Sequence, residues 1–193
     1  MLKIKSVELQ QIAKTPQQFC YDLPQFVFAG RSNVGKSSLL RTLVNRKKLI
    51  RVGSKPGVTQ SINFFKVNGE LYFVDLPGYG YAKAPKSEQD KWKFLIEKYF
   101  REAINIKKVI LLLDVRRDPT DVDRLFFEWT QSYHWPLLAV ITKTDKVSKN
   151  QLFNKKRQIM KEFTLTDDEC QLFSALNGAG KEEILKSLEK SLK

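Results

Sequence analysis

No stretch of this chain constrains its fold more than the run Gly30-Arg31-Ser32-Asn33-Val34-Gly35-Lys36-Ser37. It follows an apolar stretch, Phe26 to Ala29, and opens a segment of helical pattern from Lys36 to about Arg46. A strand that passes through a glycine-rich loop into a helix can turn several backbone N–H groups inward. The positive end of the helix dipole then adds to them. Such a loop suits phosphate oxygens. Lys36 can neutralise the β- and γ-phosphates of a nucleotide, and the Ser37 hydroxyl, followed by Ser38, can ligate Mg²⁺.

Two further patterns narrow the chemistry. Asp75-Leu76-Pro77-Gly78 follows an apolar strand, Leu71 to Val74. A carboxylate at that strand end can hold Mg²⁺ through water, and Gly78 lets a backbone N–H approach the γ-phosphate. Thr59, in the loop with Gly57 and Val58, can complete the Mg²⁺ shell. Thr142-Lys143-Thr144-Asp145 follows the apolar run Leu137 to Ile141. A carboxylate at Asp145 can accept from N1–H and the 2-amino group of guanine, and adenine offers neither donor. A site built on such pairing discriminates strongly, because the unmatched polar group is costly. Lys143 can lie along the base and brace the phosphate loop. Phe173-Ser174-Ala175 can bring a backbone N–H to guanine O6. These patterns predict a chain that binds GTP and GDP.

The remaining pattern alternates strands and helices. A hairpin is expected over residues 61–75 with its turn at Asn68-Gly69, and a helix from Ser87, capped there, to Ala103, burying Trp92, Leu95, Ile96 and Tyr99. Buried strands follow at Lys108–Asp114 and Pro136–Thr142, with a short strand at Gln171–Ser174. Helices are expected from Asp118-Pro119-Thr120 to Ser132, from Ser148 to Phe163 and from Gly180 to Leu192. Continuous apolar strands between helices imply an α/β fold with a mostly parallel sheet covered on both faces. Residues 24–193 read as one domain, with residues 1–23 as an extension packed on it.

Of the 193 residues, 34 are Lys or Arg and 21 are Asp or Glu, a net charge of +13. That imbalance favours polyanions, above all RNA. Basic clusters lie at Arg41, Arg46, Lys47, Lys48, Arg51 and Lys55, at Lys83, Lys86, Lys91 and Lys93, and at Lys143, Lys146, Lys149, Lys155, Lys156 and Arg157. The longest strongly apolar run, Val109 to Leu113, is too short to span a bilayer, and the N-terminus has no apolar signal core. A cytoplasmic monomer without a membrane partner is expected. Cys20 and Cys170 read as free, partly buried thiols, and His134 as a packing residue rather than a catalytic one.

The segments Phe28-Ala29-Gly30-Arg31-Ser32-Asn33-Val34-Gly35-Lys36-Ser37-Ser38-Leu39, Gln60-Ser61-Ile62-Asn63-Phe64-Phe65 and Asp75-Leu76-Pro77-Gly78-Tyr79-Gly80-Tyr81-Ala82-Lys83 resemble the EngB family of bacterial GTP-binding proteins, within the Era-like GTPases. Leu113-Asp114-Val115-Arg116-Arg117-Asp118-Pro119-Thr120-Asp121 and Thr142-Lys143-Thr144-Asp145-Lys146 continue the likeness, which spans roughly residues 22 to 190. Val58 departs from the basic or small polar residue more usual there. The resemblance implies a Ras-like P-loop GTPase domain with a six-stranded, mostly parallel sheet and one antiparallel strand. It also implies action on the large ribosomal subunit (rRNA and ribosomal proteins) during assembly, and a link to normal cell division and septation. The alternatives are a GTP-dependent module of the division machinery, an RNA-binding protein with a structural nucleotide, and a P-loop ATP kinase.

Turnover is expected to be slow. Tyr79 stands just after Asp-x-x-Gly, where many small GTPases carry a glutamine that orients water. Asn33 resembles the asparagine that helps related GTPases bind K⁺ beside the phosphates. Lys36, Asn33, Thr59 and Gly78 are thus the expected catalytic set. Residues 47–60 and 76–86 are the expected switch loops, and Tyr79 and Tyr81 face either a partner or the helix that follows.

Overall fold

The computed structural model describes residues 2–45, 61–79 and 86–192, the side chains of 86, 88, 89 and 92 excepted. Among the described residues, seven strands form one sheet: β1 (Val7–Ala13), β2 (Gln25–Gly30), β3 (Ile62–Val67), β4 (Leu71–Asp75), β5 (Ile106–Asp114), β6 (Leu137–Thr142) and β7 (Cys170–Leu172). Their spatial order is β1-β3-β4-β2-β5-β6-β7. β2 lies parallel to β4 and β5, β5 to β6, and β6 to β7, while β3 is antiparallel to both its neighbours. The fold class is the one expected, with β3 as the single reversed strand.

The helices are α1 (Lys36–Val44), α2 (Lys86–Glu102), α3 (Asp121–Ser132), α4 (Lys149–Glu162) and α5 (Lys181–Lys190). α1 and α5 cover one face and α2, α3 and α4 the other. Side chains alternate across a strand, so the two faces divide each apolar run. Phe26 and Phe28 of β2 pack beside Leu39, Leu43 and Leu185, whereas Val27 and Ala29 pack beside Tyr99, Phe100 and Ile159. The central strands are apolar along Phe26–Ala29, Val109–Leu113 and Leu137–Ile141, where both faces are buried.

The sheet has seven strands, one more than the six that the resemblance implied. The additional strand is β1, drawn from the N-terminal segment and paired with β3 from Val7↔Val67 to Ala13↔Ile62. Its register slips between Leu9 and Gln11. That bulge changes which residues face inward, so Val7 joins the core under α1 and α5 while Ala13 joins the opposite core. Bulges also blunt exposed sheet edges.

Asn68, in the hairpin turn, fastens the segment before β1. Its φ is +54° and that of Gly69 is +73°. Its Oδ1 accepts from the backbone N–H of Lys5 (2.8 Å) and Ser6 (3.2 Å), and its Nδ2 donates to Lys3 O (2.8 Å). The turn thus fixes both the hairpin and the strand beside it.

Other boundaries follow local chemistry. Thr120 precedes α3, and its N–H and hydroxyl donate to Asp123 Oδ2 at 2.8 and 2.7 Å. Ser148 caps α4 reciprocally with Gln151. α2 already includes Lys86, so Ser87 lies inside the helix and is not its cap. Leu95, Ile96 and Tyr99 are buried as expected. The Trp92 side chain lies outside the described residues. His134 follows α3 with φ +57° and is exposed rather than packed, since the chain reverses there towards β6. Both cysteines are free, and burial pushes the Cys170 thiol up to about 11.

Asn68→Gly keeps the positive φ but removes three hydrogen bonds. It is expected to lower stability by about 1–2 kcal/mol, read as a reduced urea midpoint with an unchanged slope.

Candidate functional site

The P-loop joins β2 to α1 at the carboxyl end of the sheet. Gly35 precedes α1 with φ +112°, and Asn33 has φ +64°. Side chains rarely adopt the first of these conformations, which explains the glycine. A loop that turns N–H groups to one side must turn carbonyls to the other, where each needs a donor. Here the donors come from the Thr-Lys-Thr-Asp segment at the end of β6. The Thr142 hydroxyl donates to Val34 O at 2.6 Å and lies 3.1 Å from Leu113 O. Lys143, itself at φ +60°, donates from Nζ to Asn33 O at 2.7 Å.

The segment after β4 closes on the same loop. Tyr79 N–H donates to Gly30 O (3.3 Å), and Ser32 N–H donates to Tyr79 O (3.0 Å). Ser32 Oγ lies 3.2 Å from Gly78 O. A Cβ on Gly78 would come within 3.0 Å of Ser32 N and Cα. Glycine is needed there because the two loops are in contact. At the end of β4 the Asp75 carboxylate is ion-paired with Lys36 Nζ, both side chains largely buried. The structure therefore brings together the two residues that the sequence assigned to phosphate and to magnesium.

Asp114, at the end of β5, was given no role by the sequence reading. Its Oδ2 accepts from Lys143 Nζ (2.8 Å) and Arg116 Nη2 (2.7 Å), and its Oδ1 from Arg116 N and Nε (3.0 and 2.9 Å). Burial alone would raise its pKa, but the hydrogen bonds from Arg116 and Lys143 outweigh it and hold the carboxyl well below the ordinary range. Asp114 thus fixes the ammonium that braces the P-loop. A carboxylate at the carboxyl end of a buried parallel strand was the available signal.

Asp145 accepts from the Ser174 hydroxyl at 2.6 Å, with Lys146 Nζ at 3.3 Å from its other oxygen. The Ser174 hydrogen bond is the main cause of its lowered pKa, followed by an opposing burial effect and the bond from Lys146. Its ionised form is the acceptor that guanine recognition needs. Phe173 N–H is used by Ile141 O, and Ser174 N–H by Ala179 O. Of the three N–H groups considered for guanine O6, that leaves Ala175, which is exposed.

The structure also sorts the predicted residues. Val34, Leu76 and Phe173 are buried in the cores, so they shape the site from behind. Thr142 is buried and braces the P-loop. The Thr144 N–H donates to Phe173 O at 3.3 Å, tying the β6 and β7 ends together. Arg31, Ser32, Asn33, Gly35, Lys36, Ser37, Ser38 and Gly78 line or adjoin the loop surface, whereas Pro77 is buried. Gly57, Val58, Thr59, Tyr81 and the basic residues Arg46, Lys47, Lys48, Arg51, Lys55 and Lys83 lie outside the described residues.

Tyr79 is buried and stacks on Phe126 of α3, ring centroids 5.6 Å apart. It packs on α3 within the core that also holds Leu95 and Tyr99 of α2, the helix that follows it. Its hydroxyl donates to Asp123 Oδ1 at 2.8 Å. Burial first, and then Asp123, raise its pKa well above the ordinary tyrosine value.

A family model described as "50S ribosome-binding GTPase" matches residues 25–143. The chain is 50% identical over 192 residues to the probable GTP-binding protein EngB of Clostridium kluyveri, covering 97% of this chain and 96% of that one. The chain belongs to the EngB family of GTP-binding proteins. Its EngB relative from Geobacter metallireducens is 44% identical over 189 residues, covering 97% of this chain and 93% of that protein. A crystal structure of a probable GTP-binding protein engB superposes with a TM-score of 0.74 at 25% identity, covering 87% of this chain and 98% of that one. As an EngB-family protein the chain binds GTP through a P-loop GTPase domain, and the family implies GTP hydrolysis. Among the described residues, no helix is long and apolar enough to cross a membrane.

Thr142→Val removes the donor to Val34 O. It is expected to cost about 1–3 kcal/mol of stability and to weaken GTP binding measured by calorimetric titration, while Thr142→Ser retains both properties.

Proposed function

We propose that this EngB-family protein uses GTP binding and hydrolysis as a switch in assembly of the large ribosomal subunit. The observation that carries the reading is the match of residues 25–143 to a family described as 50S ribosome-binding GTPase, on a chain of net charge +13. A surface with that charge favours the rRNA phosphate backbone. The protein acts in the cytoplasm as a monomer, with residues 24–193 as the GTPase unit and residues 1–23 as an extension.

In this reading the backbone from Gly30 to Ser38 cradles the phosphates. Lys36 neutralises them, Gly78 approaches the γ-phosphate, and Asp145 with Ala175 reads guanine. The donors fit Mg²⁺: Ser37 supplies a hydroxyl and Asp75 a carboxylate, hard oxygen ligands for an ion that keeps several waters. Thr59 would complete that set, with Gly57 and Val58 beside it. Bound Mg²⁺ supplies positive charge to the phosphates. Because Lys36 and Asp75 are ion-paired with each other, nucleotide binding redirects Lys36 to phosphate and frees Asp75 for the metal side.

Slow turnover follows from Tyr79. Its hydroxyl is committed to Asp123, so no side chain at that position orients an attacking water. K⁺ held by Asn33 would add positive charge beside the phosphates. Hydrolysis is then expected to run faster in K⁺ than in Na⁺, with the difference abolished in Asn33→Ala. Equal rates in the two salts for the unaltered protein would remove K⁺ from the scheme.

The ribosomal reading is tested by sedimenting the protein with purified large subunits, loaded with GDP or a non-hydrolysable GTP analogue. Binding in the GTP state alone is expected. Binding in neither state at low salt would overturn the reading and favour division proteins as the partner.

A further inference from the structure

A concavity adjoins the proposed nucleotide site and shares Arg31 to Val34 and Lys143 with it. Its volume is about 140 Å³, and it is bounded by Arg31 to Val34 on the P-loop side and by Asp114, the segment 116–119, Asp123 and Lys143 opposite. That is the space of about four or five waters, enough for a partly hydrated phosphate group. Its walls carry four cations, Arg31, Arg116, Arg117 and Lys143, against three carboxylates, Asp114, Asp118 and Asp123.

Every one of those carboxylates is already engaged. Asp114 accepts from Arg116 and Lys143. Asp118 accepts from Lys155 Nζ at 2.5 Å and Gln158 Nε2 at 3.0 Å. Asp123 accepts from Tyr79 and from Thr120. The cations are not all engaged. Among the described residues, the Arg31 and Arg117 guanidinium groups have no carboxylate or hydrogen-bond partner. Residues 46–60 and 80–85 contain no Asp or Glu, and among the residues whose side chains are not described the carboxylate nearest to them in sequence is Glu88. Among the described residues, two guanidinium groups thus sit at one concave surface without an ion-pair partner of their own, and their planar forks match phosphate oxygens.

We propose that this pocket is a second anion site, which takes an RNA phosphodiester of the large ribosomal subunit on Arg31 and Arg117. The inference rests on the ribosomal reading above and adds its point of contact. RNA is favoured over an acidic protein because the pocket is small and fork-lined, and because the chain as a whole is strongly basic.

The test uses full-length Arg117→Gln loaded with a non-hydrolysable GTP analogue. It is titrated with purified large subunits, and with the RNA extracted from them, across a salt series. Loss of one phosphate contact is expected to lower both affinities about tenfold and to reduce the salt slope by about one, with GTP hydrolysis unchanged. Arg31→Gln is expected to reproduce the affinity loss. Wild-type affinity and slope in Arg117→Gln would overturn the pocket assignment alone. A loss seen with subunits but not with extracted RNA would move the contact to a protein surface and overturn the RNA assignment. No binding by the unaltered protein to either probe would overturn this inference together with the ribosomal reading.

Discussion

The site depends on satisfying the carbonyl groups behind the P-loop. A loop that aims its N–H groups at an anion cannot keep its carbonyls in the same direction, and buried carbonyls without donors are costly. Tyr79 N–H answers Gly30 O, Val34 N–H answers Arg31 O, Lys143 answers Asn33 O and Thr142 answers Val34 O. Two of these four donors are side chains of the segment that also carries Asp145. Phosphate binding and guanine recognition are therefore parts of one network. Asp114 and Arg116 extend that network to the loop before α3. Ionised Asp114 keeps the Lys143 ammonium over the P-loop carbonyl, which is why its low pKa matters to the geometry.

Much of this was legible in the residues. The P-loop, the guanine-reading segment and the order of strands and helices were each marked by a local pattern. Buried strands read clearly where burial on two faces leaves an unbroken apolar run, as at Val109–Leu113. The features missed depend on contacts between segments distant in sequence. β1 alternates polar and apolar residues as an edge strand does, yet its place is set by β3 and by the Asn68 side chain in a turn more than fifty residues away. Thr142 reads as a nucleotide contact from its motif, and only the packed structure shows its hydroxyl turned to the P-loop carbonyl. His134 looked like a packing residue between two aromatics. The neighbouring Tyr133 and Trp135 stack on each other, ring centroids 4.6 Å apart, while His134 stays outside.

The Tyr79–Asp123 contact explains how the chain after Gly78 can be held without a polar residue free to act on water. Tyr79 is fixed at three points: its N–H and C=O on the P-loop and its hydroxyl on α3. Asp123 is buried, and its second oxygen accepts from Thr120 at the start of the same helix. The carboxylate thus ties Tyr79, which is bonded to the P-loop, to the end of the loop that carries Arg116 and Arg117. Any displacement of Tyr79 leaves Asp123 Oδ1 buried without a donor, at a cost of about 1–3 kcal/mol. That cost is of the size a switch needs, since a ligand shifts two states only by its differential affinity for them. A phosphate contact on Tyr79's side of the site and an anion in the arginine pocket would then act on one shared hydrogen bond. With the two sites as proposed, the residue occupying the usual glutamine position would couple two surfaces in place of orienting water.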